Sequence, residues 1–182
     1  MRECLGLLLS IPLAACTSDP ASVEGGAVEL DVRADTSNLS GSRPDATDIA
    51  TIFSGPEGVV VAVLAYEGTG DVRRKRWQLV ITLGSPPASG DSYTLGAPAA
   101  DPPLAPESAS LLFEEEIVDG FRAWESTGGT LTIGSRSGTQ AELRWSAVPM
   151  AVTPDGTGNS ATGTFELDGD ITVDDIENAL PL

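Results

Sequence analysis

Histidine is absent from the sequence and several other reactive residue types are scarce. The 182 residues contain no His, two Cys and one Lys (Lys75), and aromatic residues make up 5%. Without His the chain lacks the commonest general base and the commonest metal ligand, and every Ser–His catalytic arrangement is excluded. From these residue types we predict no catalytic residue, no metal site and no cofactor.

Positive charge is also scarce. Ten Lys and Arg side chains face 27 Asp and Glu, which gives a net charge of −17. Such a surface repels nucleic acid and anionic lipid head groups. We therefore expect no nucleic-acid partner, and attachment to a membrane would need something other than electrostatic attraction.

The longest apolar run near the N-terminus is short. Leu5–Leu13 is a nine-residue run interrupted by Ser10 and Pro12, and it follows a polar start that carries Arg2. A membrane-spanning helix needs about 20 residues, whereas a run of this length is typical of the core of a signal peptide.

The residues after this run resemble the lipobox of bacterial lipoproteins. Leu13, Ala14 and Ala15 place one aliphatic and two small residues before Cys16. The resemblance implies that signal peptidase recognises Leu13, Ala14 and Ala15, that Cys16 takes a diacylglycerol, and that cleavage leaves Cys16 as the first residue. Two or three acyl chains, palmitate among them, give a stable anchor where a single chain gives only a marginal one. The alternative is an ordinary signal peptide that is cut at Ala15.

This reading divides the chain into three parts. Residues 1–15 are the expected signal peptide, 16–26 the lipidated cysteine with a flexible tether, and 27–182 a single domain. Since Cys4 leaves with the signal peptide and Cys16 carries lipid, the domain has no disulfide and depends on its own core. Thr17 stands where, in enteric bacteria, an Asp would retain a lipoprotein in the inner membrane. By that resemblance we expect the outer membrane of the cell envelope.

Period-two patterns dominate the domain and predict short strands. Asp119-Gly120 and Asp168-Gly169 are strong turn signals between such strands. The strand signals are Val28–Val32, Val59–Leu64, Trp77–Leu83, Leu111–Val118, Phe121–Trp124, Leu131–Ile133, Ala141–Ala147, Thr164–Leu167 and Ile171–Val173. We predict an all-β domain of about eight to ten strands, an antiparallel β-sandwich as first choice and a closed β-barrel as second.

A looser resemblance covers about 80 residues at the C-terminal end. Gly90–Gly96, Gly129–Ile133 and Gly163–Phe165 look like the repeated strand motifs of a group of uncharacterised bacterial lipoproteins with a β-sandwich domain. The resemblance implies the fold and carries over no catalytic residue.

Two features are candidates for ligand contact. Arg73, Arg74, Lys75 and Arg76 concentrate positive charge and could clamp a phosphate, an acidic polysaccharide or a lipid head group; the alternative is a solvated turn that protects a strand edge. Trp77 and Trp145 fall on the apolar phase of their strands, with Ala147 on the same phase, and are expected in the core. Trp124 is the tryptophan that could meet a ligand.

The acidic residues leave two function classes open. Glu114–Glu116 and the cluster from Asp168 to Glu177 could bind calcium, but a solvated acidic edge is the simpler reading. We expect a cell-envelope lipoprotein with a non-enzymatic binding or structural role. Its expected partner is an envelope protein or glycan. The alternative is an envelope polysaccharide hydrolase that uses paired carboxylates.

Overall fold

The computed structural model describes the part of the chain that forms the β domain. The described residues are 28–39, 50–55, 58–67, 74–97, 104–137, 140–154 and 158–174. The expected signal peptide, the tether and the lipobox residues lie outside them. Within the described residues there is no helix that is long and apolar enough to span a membrane.

The described residues form ten strands and no helix, which confirms the predicted all-β class. The strands are β1 (Val28–Arg33), β2 (Ala50–Gly55), β3 (Gly58–Glu67), β4 (Arg74–Leu83), β5 (Ser92–Gly96), β6 (Ser108–Ile117), β7 (Gly120–Ser126), β8 (Thr130–Ser137), β9 (Gln140–Val152) and β10 (Phe165–Asp174).

The strands belong to one mixed, mainly antiparallel sheet. Its order is β1-β10-β2-β3-β4-β6-β5-β8-β9-β7, and two further pairings join β10 to β9 and β6 to β7. The pairings therefore close into a ring, in which the parallel contact between β10 and β2 rests on the single pair Asp174 and Thr51. The arrangement is that of a sandwich-like all-β fold, as predicted.

Alternation along the strands places one face of the sheet in a common core. Trp77, Leu79, Ile81 and Leu83 are all buried, as the sequence pattern predicted. Val59, Val61 and Val63 of β3 are buried too, whereas the residues between them are only half-buried, so this continuous apolar run has one core face and not two. Pairing with β2 on one side and β4 on the other makes β3 a central strand.

An aromatic cluster fills part of this core. The rings of Trp77 and Phe113 stack with centroids 5.7 Å apart, and Phe165 meets Phe113 and Trp124 edge-on at 6.0 and 5.5 Å. Such offset and edge-on contacts are the favoured geometries of aromatic pairs. The burial of Trp77 and Trp145, each 5% exposed, confirms their predicted core positions.

The turn predicted at Asp119-Gly120 connects β6 and β7 as a hairpin. Ile117 pairs with Gly120, so the two loop residues are Val118 and Asp119, one position earlier than the sequence signal suggests. Gly120 has a φ of 146°, and a Cβ there would lie 3.0 Å from the carbonyl oxygen of Gly158. The glycine is therefore needed where the second strand begins.

The turn predicted at Asp168-Gly169 is wrong. β10 runs through both residues as one strand, and its pairing with β9 shifts register between Leu167 and Gly169. On β9 the matching irregularity is Ala147, which has a φ of 50°. Here the buried phase of β9 changes, because Trp145 is followed in the core by Val148 and not by Ala147. The prediction that Ala147 faces the core is therefore also wrong: it is exposed.

Candidate functional site

Four neighbouring strands, β8, β9, β10 and β1, present a polar outer face. Their alternation buries Leu131, Leu143 and Ile171 and leaves the residues between them towards solvent. The registers of the strand pairs align one outward residue from each strand into a row, in which Thr132 is opposite Arg144, Arg144 opposite Asp170, and Asp170 opposite Glu29. We call this set the cross-strand row.

An open groove of about 1060 Å³ lies over this face. It holds the cross-strand row, and beside the row lie Ser146 and Asp168. The groove is lined by Val28, Glu29, Leu30, Asp31, Gly129, Thr130, Thr132, Arg144, Trp145, Ser146, Asp168, Gly169 and Asp170. Four carboxylates and one guanidinium line it, so its local charge has the same sign as that of the whole chain.

Asp168 is the best-connected carboxylate of the groove. Its Oδ1 accepts hydrogen bonds from the Ser146 hydroxyl at 2.7 Å and from the Ala147 backbone N–H at 3.0 Å. The guanidinium of Arg33 forms an ion pair with the same oxygen. These contacts hold β1, β9 and β10 together at the point where β9 changes phase.

The environment of Asp168 favours its ionised form. Partial burial of the carboxylate raises its pKa, but the hydrogen bonds from Ser146, Arg33 and the Ala147 N–H outweigh this, and the pKa lies below its usual value of 3.8. The hydrogen bond to Asp168 in turn raises the pKa of Arg33. At neutral pH Asp168, which lines the groove, is therefore held as a carboxylate paired with the Arg33 guanidinium.

Arg144 neutralises a second carboxylate. Its Nε donates to Oδ2 of Asp170 at 2.9 Å, and its Nη2 forms an ion pair with Glu142. About half of the Arg144 side chain is exposed, so the guanidinium stays accessible from the groove while it is paired.

Trp145 supports the groove from below. Its indole packs on Gly169, where a Cβ would come within 2.1 Å of Cζ2, so only glycine fits. Because Trp145 is 5% exposed, its ring is part of the core and does not form an exposed aromatic wall.

Among the residues that the sequence marked for ligand contact, the structure describes the side chain of Trp124. Arg73 lies outside the described residues, and Arg74, Lys75 and Arg76 lie at the start of β4, where the side chains are not described. Trp124 is fully buried in the aromatic cluster, so its proposed role at a ligand surface is wrong. Cys16, Leu13, Ala14 and Ala15 lie outside the described residues.

Individual carboxylates of the two acidic clusters pair with different partners. Glu114 accepts a hydrogen bond from Gln78 at 3.1 Å, and Glu115, which is buried, pairs with Arg122 at 3.1 Å. Asp168 and Asp170 pair with different arginines, while 175–182 lie outside the described residues. In the described part of the chain, no group of three His, Cys, Asp or Glu side chains could hold a metal ion.

Sequence reasoning missed the groove, although its signal was present. Arg144 and Ser146 occupy the polar phase of a strand that was predicted correctly, and Arg33 ends another. Their meeting with Asp168 and Asp170 depends on which strands pair and in what register, and a single strand pattern contains neither.

Comparison with known proteins adds no relative. No protein-family model, no curated protein and no solved structure matches this chain.

Proposed function

We propose that this protein is a lipid-anchored lipoprotein of the bacterial cell envelope whose acidic all-β domain binds a partner and does not turn over a substrate. The observation that carries the anchor is the sequence Leu13-Ala14-Ala15-Cys16 at the end of a nine-residue apolar run. The proposed mature chain has no other cysteine, so the thiol of Cys16 is its single site for thioether lipidation.

The spacing between the anchor and the domain supports the same proposal. β1 begins at Val28, twelve residues after Cys16. Twelve extended residues span at most about 40 Å, so a lipid on Cys16 would keep the domain close to the membrane surface. An acidic domain needs such a covalent tether, because anionic head groups repel it.

The chemistry of the groove favours binding over hydrolysis. A glycosidase needs one carboxylic acid that is protonated at working pH and a second, ionised carboxylate. The pKa of Asp168 is lowered, the wrong direction for a general acid, and Asp170 is paired with Arg144. The hydrolase is kept as the second candidate because four carboxylates do line one groove.

The anchor is tested by the change Cys16→Ser in the full chain, expressed in a bacterial host with labelled palmitate. We expect the parent protein to incorporate label and to sediment with membranes, and the variant to lose both. Label and membrane sedimentation that persist in the variant would refute the anchor.

The destination needs a separate measurement. From Thr17 we propose that the lipoprotein resides in the outer membrane. Separation of the two membranes on a sucrose gradient should place the protein with outer-membrane markers, and co-sedimentation with inner-membrane markers would contradict this.

The two functional candidates differ in turnover. The binding proposal expects no release of reducing ends when the purified protein is incubated with envelope polysaccharide. Release that is abolished by Asp168→Asn or Asp170→Asn, in variants that thermal melts show to be folded at the assay temperature, would establish the hydrolase instead.

A further inference from the structure

We propose that the groove over β8, β9, β10 and β1 binds a neutral, hydroxyl-rich glycan. The inference rests on the proposed binding role and names the ligand class for it. Its basis is the cross-strand row, in which hydroxyl, guanidinium and carboxylate groups stand side by side on four adjacent strands.

The row supplies donors and acceptors at regular intervals. Thr132 offers the lone pairs of a hydroxyl that itself donates to the Arg144 carbonyl at 3.3 Å, Arg144 offers a half-exposed guanidinium, and Asp170 and Glu29 offer carboxylates. Since neighbouring strands are about 4.8 Å apart, the row spans about 14 Å across the sheet. A sugar hydroxyl both donates and accepts, so adjacent hydroxyls of an oligosaccharide can bond to a carboxylate and to a guanidinium at once.

Anionic ligands fit the groove poorly, and the groove presents no exposed aromatic ring. Four lining carboxylates would repel an anion, and only Arg144 among the lining residues is cationic. Trp145 and Val28 are both at least 95% buried, and Leu30 is half-buried. An aromatic ligand therefore finds no ring in the lining on which it could stack.

A cationic peptide is the closest competitor, and the ion pairs count against it. Asp168 and Asp170 are already bound by Arg33 and Arg144. A lysine side chain would have to displace a guanidinium and would be repelled by it, whereas a hydroxyl can bond to the exposed side of an intact pair. At Asp168 and Asp170 the pairs thus favour an uncharged polar ligand over a lysine side chain.

The test is a ligand-observed NMR titration of the detergent-solubilised, membrane-derived protein with two probes, chitotetraose and tetralysine. Without aromatic stacking we expect weak binding of chitotetraose, with a Kd on the order of 0.1–1 mM. Arg144→Gln and Asp170→Asn should each weaken it about tenfold, the effect of losing one charged hydrogen bond. The matched control, Asp119→Asn at the β6–β7 hairpin, removes one carboxylate far along the sheet and should leave binding unchanged.

Each outcome decides the inference. Binding of tetralysine in preference to chitotetraose, or equal chitotetraose binding by the control and by both groove variants, overturns it. Absence of chitotetraose binding at about 10 mM does so too. If Arg144→Gln melts at a lower temperature, Thr132→Val replaces it, since that side chain is exposed. If the chitotetraose test fails while membrane attachment still depends on Cys16, the glycan is rejected as the ligand and the proposed function stands.

Discussion

At the scale of single residues, burial alternates along a strand only while the strand keeps the same neighbours. Trp77 and Trp145 could be assigned to the core from the sequence because their strands alternate cleanly around them. Trp124 could not, since Ala123 and Trp124 are consecutive and both buried. At this point β7 gains β9 as a second neighbour while it still pairs with β6, so residues of both phases are covered. Only the pairing reveals this.

The buried position of Trp124 leads to a stability prediction. Trp124→Ala removes a fully buried ring that contacts Phe113 and Phe165, and should lower the free energy of unfolding by about 3–5 kcal/mol. Val118→Ala, at a hairpin position that is 85% exposed, is the control and should change it by less than about 0.5 kcal/mol. Urea unfolding of both variants makes the comparison. Similar small losses in both would contradict the core position of Trp124.

We predict that Asp168 stabilises the fold at neutral pH and that this contribution is lost in acid. Its pKa is lower in the folded protein than its usual value of 3.8, so its stabilising contacts are fully present above that value. They are lost as the pH falls from about 4 through the lower, folded pKa. Asp168→Asn should therefore destabilise the protein at pH 6 and differ much less from the parent at pH 2.5.

The measurement for Asp168 is urea unfolding of parent and variant at the two pH values. Other carboxylates titrate in both proteins, so the difference between the two proteins isolates Asp168. Val118→Ala, at an exposed hairpin position, changes no ionisable group and is the control, whose effect should be the same at both pH values. An equal effect of Asp168→Asn at pH 6 and pH 2.5 would show that its ionisation contributes nothing.

At the scale of strands, two identical dipeptides have different outcomes. Asp119-Gly120 lies at a hairpin, while Asp168-Gly169 lies inside β10 at a shift of register. The local chemistry is the same in both, because Gly allows unusual backbone geometry and Asp accepts nearby N–H groups. What differs is the partner: β9 runs beside Asp168, and Trp145 occupies the space that a side chain at 169 would need. A local pattern cannot contain that information.

β2 is a strand that the sequence pattern did not predict, because its pairing partner and not its own sequence defines it. Ala50–Gly55 has no alternating pattern, and no strand was predicted there, yet it pairs with β3 over six residue pairs. The strongly β-forming run of β3 provides the edge on which β2 forms. Strands with their own period-two signal were predictable, and strands defined by a neighbour were not.

The close packing of Gly169 tests the pairing of β9 with β10. Gly169→Ala puts a methyl group where the Trp145 ring lies and should cost about 1–3 kcal/mol through displacement of the indole or the strand. Gly128→Ala is the matched control, because nothing lies within 4 Å of its added Cβ. Thermal melts of the two variants are compared. A Gly169→Ala protein as stable as the control would contradict this packing.

At the scale of the whole molecule, the proposed lipid anchor is consistent with the acidic composition of the chain. The domain has no disulfide and depends on its own core. Of the 27 acidic residues, 26 lie outside the proposed signal peptide, and in the proposed account the lipid provides the membrane attachment that this charge opposes. The all-β class and most core phases could be predicted from periodicity, but the change of phase at Ala147 could not. The groove could not be predicted either, since it depends on which strands pair and in what register.

The most direct test of the lipoprotein account is the intact mass of the protein purified from bacterial membranes. The account predicts a chain that begins at Cys16 and carries the added mass of a diacylglycerol, with or without a further acyl group on its amine. A chain that retains residues 1–15, or one that begins at Cys16 with no added lipid mass, would contradict it.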